Sequence, residues 1–191
     1  MADERVSLGK TNIINSCRHI ARYNLALSFV NGKRVLDAAC GTGYGSFLLS
    51  LVNESVVGID NSSEAVLEAN KRFTASNLAF ILRDLNEMDE KDCKPFDAVV
   101  CFETLEHLEN PQLFIDKLKT IVKKGGLFVY SLPLFEKMGQ NQHHKHVFDV
   151  ESARSLVKYS IVAEYVQSGM NFYYPYEVDG GGYYFSVREI V

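Results

Sequence analysis

Tryptophan is absent from this 191-residue chain, and cysteine and proline occur only four times each. The cysteines (Cys17, Cys40, Cys93 and Cys101) form no CxxC pair and no zinc-ligand spacing, which argues against a disulfide scaffold or a cysteine-based metal module. Cys40 and Cys101 fall at predicted strand ends, where buried free thiols are expected. No apolar run approaches the roughly 20 residues of a membrane helix. The opening MADERVSLGK lacks the basic-then-apolar order of a secretory signal. Positive charge is short as well. Lys and Arg number 20 against 24 Asp and Glu, a net charge of −4, so no global field draws in nucleic acid or an anionic membrane. There is no internal repeat and no low-complexity linker. These absences leave a cytoplasmic protein of one domain over 1–191, with nucleic acid disfavoured, no membrane partner and the oligomeric state open.

What is present is an ordinary globular composition, 47% hydrophobic and 23% charged, in a chain long enough to bury a full core. Apolar residues at helical spacing predict a helix over 12–29, part of an N-terminal cap (1–31). Short apolar strands are predicted at 34–36, 55–59, 78–82, 98–102 and 127–132. Asn61-Ser62-Ser63-Glu64 reads as the start of a helix reaching Phe73. Asn110-Pro111 starts another, running to about Lys123 and stopped by Gly125-Gly126. A helix is expected over 150–159, then strands over 163–167 and 183–190 as a hairpin-like pair at the sheet edge. Strands alternating with helices predict a doubly wound α/β domain with a mostly parallel, seven-stranded sheet and a reversed final strand.

The most informative segment is Asp37-Ala38-Ala39-Cys40-Gly41-Thr42-Gly43-Tyr44-Gly45, where a strand meets a glycine loop and then a helix. Ligands of open α/β sheets bind at such junctions. Gly41 and Gly43 fit a dinucleotide fingerprint, but Ser46 stands where its third glycine belongs. Asp37 would oppose a pyrophosphate, whereas it suits a cationic ligand such as a methionyl ammonium. With these features, residues 20–133 resemble the class I S-adenosylmethionine-dependent methyltransferases, whose fold is Rossmann-like. PFDAVVCFETLEHLENP resembles that family's fourth-strand motif, and KKGGLFVYSLP its following segment. The resemblance implies S-adenosyl-L-methionine as donor and S-adenosyl-L-homocysteine as product. It places Asp37 and the backbone of Gly41, Gly43, Tyr44 and Gly45 around the methionyl part, Asp60 on the ribose, and Asp84 and Leu85 at the adenine. Asn61 and Phe102 complete the set.

The acceptor chemistry is expected after the fourth strand. Glu103, Glu106 and His107 stand at i, i+3 and i+4, one face of a helical turn. Two readings stay open: a histidine base near a hydroxyl or amine, with Glu103, His107 and His146 as catalytic candidates, or a divalent metal on Glu103, Glu106, His107 and His146. The second follows a resemblance of HHKHVFD to the distal histidine motif of small-RNA 3′-end 2′-O-methyltransferases. The same E-x-x-E-H turn is similar to that of ubiquinone-pathway O-methyltransferases and of bacterial glycan or natural-product methyltransferases. The expectation is therefore methyl transfer to a small-molecule hydroxyl or amine. The alternatives are a metal-dependent 2′-O-methyltransferase of an RNA 3′ end and a non-catalytic cofactor-binding module. Segments 134–149 and 168–182 are expected to line the acceptor side. Arg22-Tyr23 is a candidate to close over the cofactor carboxylate, by the same resemblance to glycan enzymes. The aromatic runs 172–176 and 183–185 either line a pocket or pack a sheet edge.

Overall fold

A computed structural model describes residues 13–88, 95–173 and 182–191. Cys93, Tyr174 to Tyr176 and Gly180-Gly181 lie outside the described residues. The elements run α1 (Ile13–Val30), β1 (Arg34–Ala38), α2 (Tyr44–Ser50), β2 (Ser55–Asp60), α3 (Ser63–Arg72) and β3 (Leu78–Leu82). They continue with β4 (Phe96–Phe102), α4 (Pro111–Ile121), β5 (Val122–Leu134), α5 (Val150–Leu156), β6 (Ser160–Ser168), β7 (Asn171–Tyr173) and β8 (Gly182–Glu189). One mixed sheet of eight strands has the order β3-β2-β1-β4-β5-β8-β6-β7. It is a Rossmann-like α/β sheet, parallel from β3 to β5, and β8 is the reversed strand, antiparallel to both β5 and β6.

Helix starts follow from local chemistry. The Ser62 side chain accepts from the Ala65 amide and begins α3. Asn110 does the same for α4, with Pro111 in the first turn, where its missing N–H is no loss. Asp149 and Ser152 form a reciprocal capping box on α5. Along β5, alternate side chains face opposite layers. Phe128, Tyr130 and Leu132 pack with Phe114, Ile115 and Leu118 of α4 and Ala153 of α5. Val129 faces the other layer, with Tyr23, Ala26 and Val30 of α1 and Leu49 of α2. Each of these fully buried large side chains contributes roughly 1.5–3 kcal/mol.

Three expectations change. The sheet has eight strands, not seven, because 171–173 turns back on β6 as a short edge strand. The strand at 183–190 is not at the edge: β8 is inserted between β5 and β6, where Tyr184, Phe185 and Val187 are buried on both faces. Helix α4 stops at Ile121, and Lys123 to Gly126 already belong to β5. Val122 pairs with Phe96, Lys123 reaches Asp97 at 2.6 Å, and the Asp97 carbonyl lies 2.8 Å from where a Gly126 Cβ would stand. Those contacts draw the lysines and glycines into the sheet. No helix of the described residues is long and apolar enough to cross a membrane.

Candidate active site

Among the described residues, three non-glycine residues have positive φ: Ala39 (59°), Glu103 (51°) and Phe135 (59°). Each follows the carboxyl end of a strand, β1, β4 or β5. Left-handed backbone costs an L-residue about 1–3 kcal/mol and persists only where surrounding structure enforces it. The strain is therefore concentrated on one edge of the sheet.

The glycine loop is built from that edge. The Cys40 amide donates to the Ile59 carbonyl, tying β1 to β2 (2.8 Å). The Gly41 amide donates to Asp60 Oδ2 and the Ser62 amide to Asp60 Oδ1, both at 2.9 Å. Asp60 is thus pinned at the end of β2. Gly41 has φ +55°, and a Cβ there would meet no atom within 4 Å, so the loop opens onto unfilled space. Gly43 has φ +84° and the Phe80 ring 2.7 Å from its would-be Cβ. Gly45 is glycine for packing, since the Tyr23 ring lies 2.0 Å from where its Cβ would be.

Asp37 is placed beneath this loop. It is fully buried, accepting from Ser46 Oγ at 2.6 Å and from the Tyr23 hydroxyl at 3.1 Å. Burial pushes its carboxyl up to about 7, against the pull of the two hydroxyl donors. Tyr44 and Phe102 are also buried, their rings 5.7 and 4.9 Å from that of Tyr23. Asn61 is exposed at the rim. Asp84 accepts from the Asn86 amide at 2.8 Å and caps the 3₁₀ turn that begins with buried Leu85.

Arg22, next to Tyr23 in α1, is completely buried. Its Nη1 donates to Gln167 Oε1 at 2.6 Å and its guanidinium covers the Tyr183 ring at 4.3 Å. Its Nε and Nη2 are buried with no hydrogen-bond partner.

The turn after β4 faces this region. Glu103 accepts from Ser131 Oγ at 2.7 Å, and burial raises its pKa while Arg22 opposes the rise. Glu106 is fully buried with both carboxyl oxygens unpartnered. Burial first, and then the neighbouring Glu103, push it well above the ordinary carboxylate range. The loop after β5 is fastened to this turn through the Glu106 carbonyl, which accepts from the Lys145 and His146 amides. His107 Nδ1 donates to the His143 carbonyl at 3.1 Å, leaving Nε2 as the acceptor nitrogen, 3.9 Å from Glu106 Oε1. His144 donates from Nδ1 to Glu136, and its ring meets His107 edge-on at 4.7 Å.

The ligand atoms of Glu106, His107 and His144 lie within 4.8 Å of one another. His146 is not in that group. Its Nε2 donates to the Leu108 carbonyl at 3.0 Å, so it fastens the loop while His144 takes the inward position. Glu103 stands beside the group rather than in it. Reading the sequence for chemistry missed His144, Glu136 and Ser46. In a His-His-Lys-His run nothing local tells which imidazole turns inward.

The model of a family described as "Methyltransferase domain" matches residues 29–177. The chain belongs to the class I S-adenosylmethionine-dependent methyltransferases. It is 31% identical over 120 residues to a ubiquinone biosynthesis O-methyltransferase of Glaesserella parasuis, an alignment covering 56% of this chain and 51% of that one. It thus spans about half the length of the curated relatives it matches. In fold it is similar to the N-methyltransferase NodS of Bradyrhizobium japonicum in complex with S-adenosyl-L-homocysteine (TM-score 0.71, 18% identity, 95% of this chain and 89% of that one). The [4+2]-cyclase SpnF is similar too (TM-score 0.73, 16% identity, 98% and 84% coverage). The fold alone therefore does not specify the reaction.

Proposed function

We propose that this chain transfers the methyl group of S-adenosyl-L-methionine to a hydroxyl of a small molecule. One observation carries the reading: the open space over Gly41, bordered by pinned Asp60, lies on the strained sheet edge that also carries Glu103, Glu106 and His107. The residues present fit the donor. Asp60 sets a carboxylate at the end of β2, where a ribose diol would lie, Asp84 and Leu85 border the adenine position, and the loop amides from Gly41 to Gly45 bracket the methionyl chain. Asp37 acts from beneath, holding Ser46 and Tyr23 rather than the ligand.

The bound donor supplies an electrophilic methyl on a sulfonium that becomes neutral as the methyl departs. The chain's share is then to hold the acceptor in line and remove its proton. His107 is positioned for the second task, since the His143 carbonyl fixes Nε2 as its accepting nitrogen. Glu103, held by Ser131, orients the hydroxyl.

One observation favours a second role for this group. A fully buried carboxyl with neither oxygen paired is costly, and a cation would satisfy it. Glu106, His107 and His144 would hold a divalent ion, with the His143 carbonyl and Glu136 fixing the two imidazoles through Nδ1 and with His144 Nε2 exchanging its Asn141 contact (3.0 Å) for the ion. Such an ion would acidify the acceptor hydroxyl.

Calorimetry with S-adenosyl-L-homocysteine tests the donor, and methyl transfer to a panel of catechols, sugars and short RNA, with and without chelator, tests the rest. Absence of homocysteine-product binding would remove the proposal. Transfer confined to RNA would replace its acceptor.

A further inference from the structure

A cavity of about 250 Å³ opens beside the catalytic edge, between α1, the end of β5 and the β6–β7 turn. Pro133 and Tyr183 form flat walls, and Arg18, Glu136, Gln167 and Ser168 form the polar ones. Glu136 joins the cavity to the site already described, because it holds His144 against His107.

We infer that the acceptor bound here carries an anionic group, a carboxylate or a phosphate, which docks on Arg18. The inference rests on the methyl-transfer reading and names the substrate class for it. Two of the other polar wall groups, Glu136 and Gln167, are already engaged. Glu136 accepts from His144 Nδ1. Gln167 is completely buried, its Oε1 taken by Arg22 and its Nε2 donating to the Arg18 carbonyl at 3.0 Å. Arg18 carries the positive charge of this wall, and its Nε is buried with no hydrogen-bond partner. Arg18 lines the cavity, and a planar guanidinium on a cavity wall suits the two oxygens of a carboxylate or phosphate.

Arg18 and Arg22 stand at i and i+4 on α1, neighbours on one face. Arg22 is the deeper, bonded to Gln167 and stacked on Tyr183, while Arg18 lines the cavity itself. A neutral, lipophilic acceptor would cover the Arg18 guanidinium without pairing its charge, which is unfavourable. An anion at Arg18 would also keep its negative charge away from Glu103 and Glu106, and a hydroxyl at its other end would face His107.

The test is calorimetric and needs no turnover. Wild type and Arg18→Gln, each saturated with S-adenosyl-L-homocysteine, are titrated with two matched pairs: 3,4-dihydroxybenzoate against catechol, and glucose 6-phosphate against glucose. At least one anion should bind about tenfold or more tighter than its neutral partner, and Arg18→Gln should erase that ratio while leaving the neutral compound and the homocysteine product unaffected. The arm that responds identifies carboxylate or phosphate as the group. Anions binding no tighter than neutral partners in both arms, or a ratio that survives in Arg18→Gln, overturns the inference. Failure of the homocysteine product to bind wild type would count against the donor reading alone, and the anion ratio is then read on the same cavity without it.

Discussion

The hydroxyl of Tyr23 donates to the buried carboxyl of Asp37 at 3.1 Å while its ring occupies the place of a Gly45 side chain. One residue of α1 therefore holds down both the acidic end of β1 and the start of α2. Because burial raises Asp37 from 3.8 to about 7, the folded protein binds a proton there that the unfolded chain has released. Its contribution to stability is fullest below pH 4 and is lost as pH rises toward 7, by up to about 4 kcal/mol. Above pH 7 the carboxylate depends on its donors. Tyr23→Phe should cost about 1.5–3 kcal/mol at pH 8 and less at pH 5, where Asp37 is protonated. Urea unfolding at the two pH values checks this, and an equal cost at both would show that the hydroxyl does not stabilise the charged form.

The loop glycines should fail in different ways. Gly45→Ala drives a methyl group into the Tyr23 ring and should cost about 1–3 kcal/mol, several degrees of Tm. Gly41→Ala meets no neighbour, so its stability cost is about 1 kcal/mol, from the positive φ alone. Its methyl group would occupy the ligand's space, and affinity for S-adenosyl-L-homocysteine should fall at least about tenfold. Thermal unfolding and calorimetry on both variants separate the two effects.

Asp60 joins the loop to β2 through Gly41 and Ser62, so a single substitution should loosen the cradle and remove an acceptor together. Asp60→Asn offers one oxygen where two are used. Homocysteine-product affinity should fall about 10- to 100-fold, with a smaller loss of stability than Gly45→Ala causes. Unchanged affinity would move the ribose site away from β2.

Elements were legible where their signal is local. The apolar run at 78–82, the helix starts at 61–64 and 110–111, and the strand–glycine loop–helix order all read correctly from neighbouring residues. The position of β8 was not legible, because its partners β5 and β6 are chosen by pairing over long separations, as between Pro133 and Tyr183. Nor was the exchange of His146 for His144, which the Glu106 carbonyl decides by accepting the Lys145 and His146 amides. The hydroxyl partners of Asp37, Tyr23 and Ser46, lie 14 and 9 residues away and are not legible in the glycine motif. Arg22 was visible only as a candidate, and its two unpaired nitrogens are a property of packing.

The unpaired carboxyl of Glu106 yields the sharpest test of the metal reading. In metal-free protein the group burdens the fold, because burial and Glu103 oppose its ionisation. Glu106→Gln keeps the shape and removes that burden, so unfolding at pH 8 should show equal or higher stability, by up to about 1–3 kcal/mol. The same variant should lose affinity for Mn²⁺ or Zn²⁺ at least about tenfold in calorimetry, and His144→Ala should do likewise, while His146→Ala should retain most of it. Wild-type protein that binds neither ion, yet transfers methyl groups in the presence of chelator, would assign the cluster to proton removal by His107 alone.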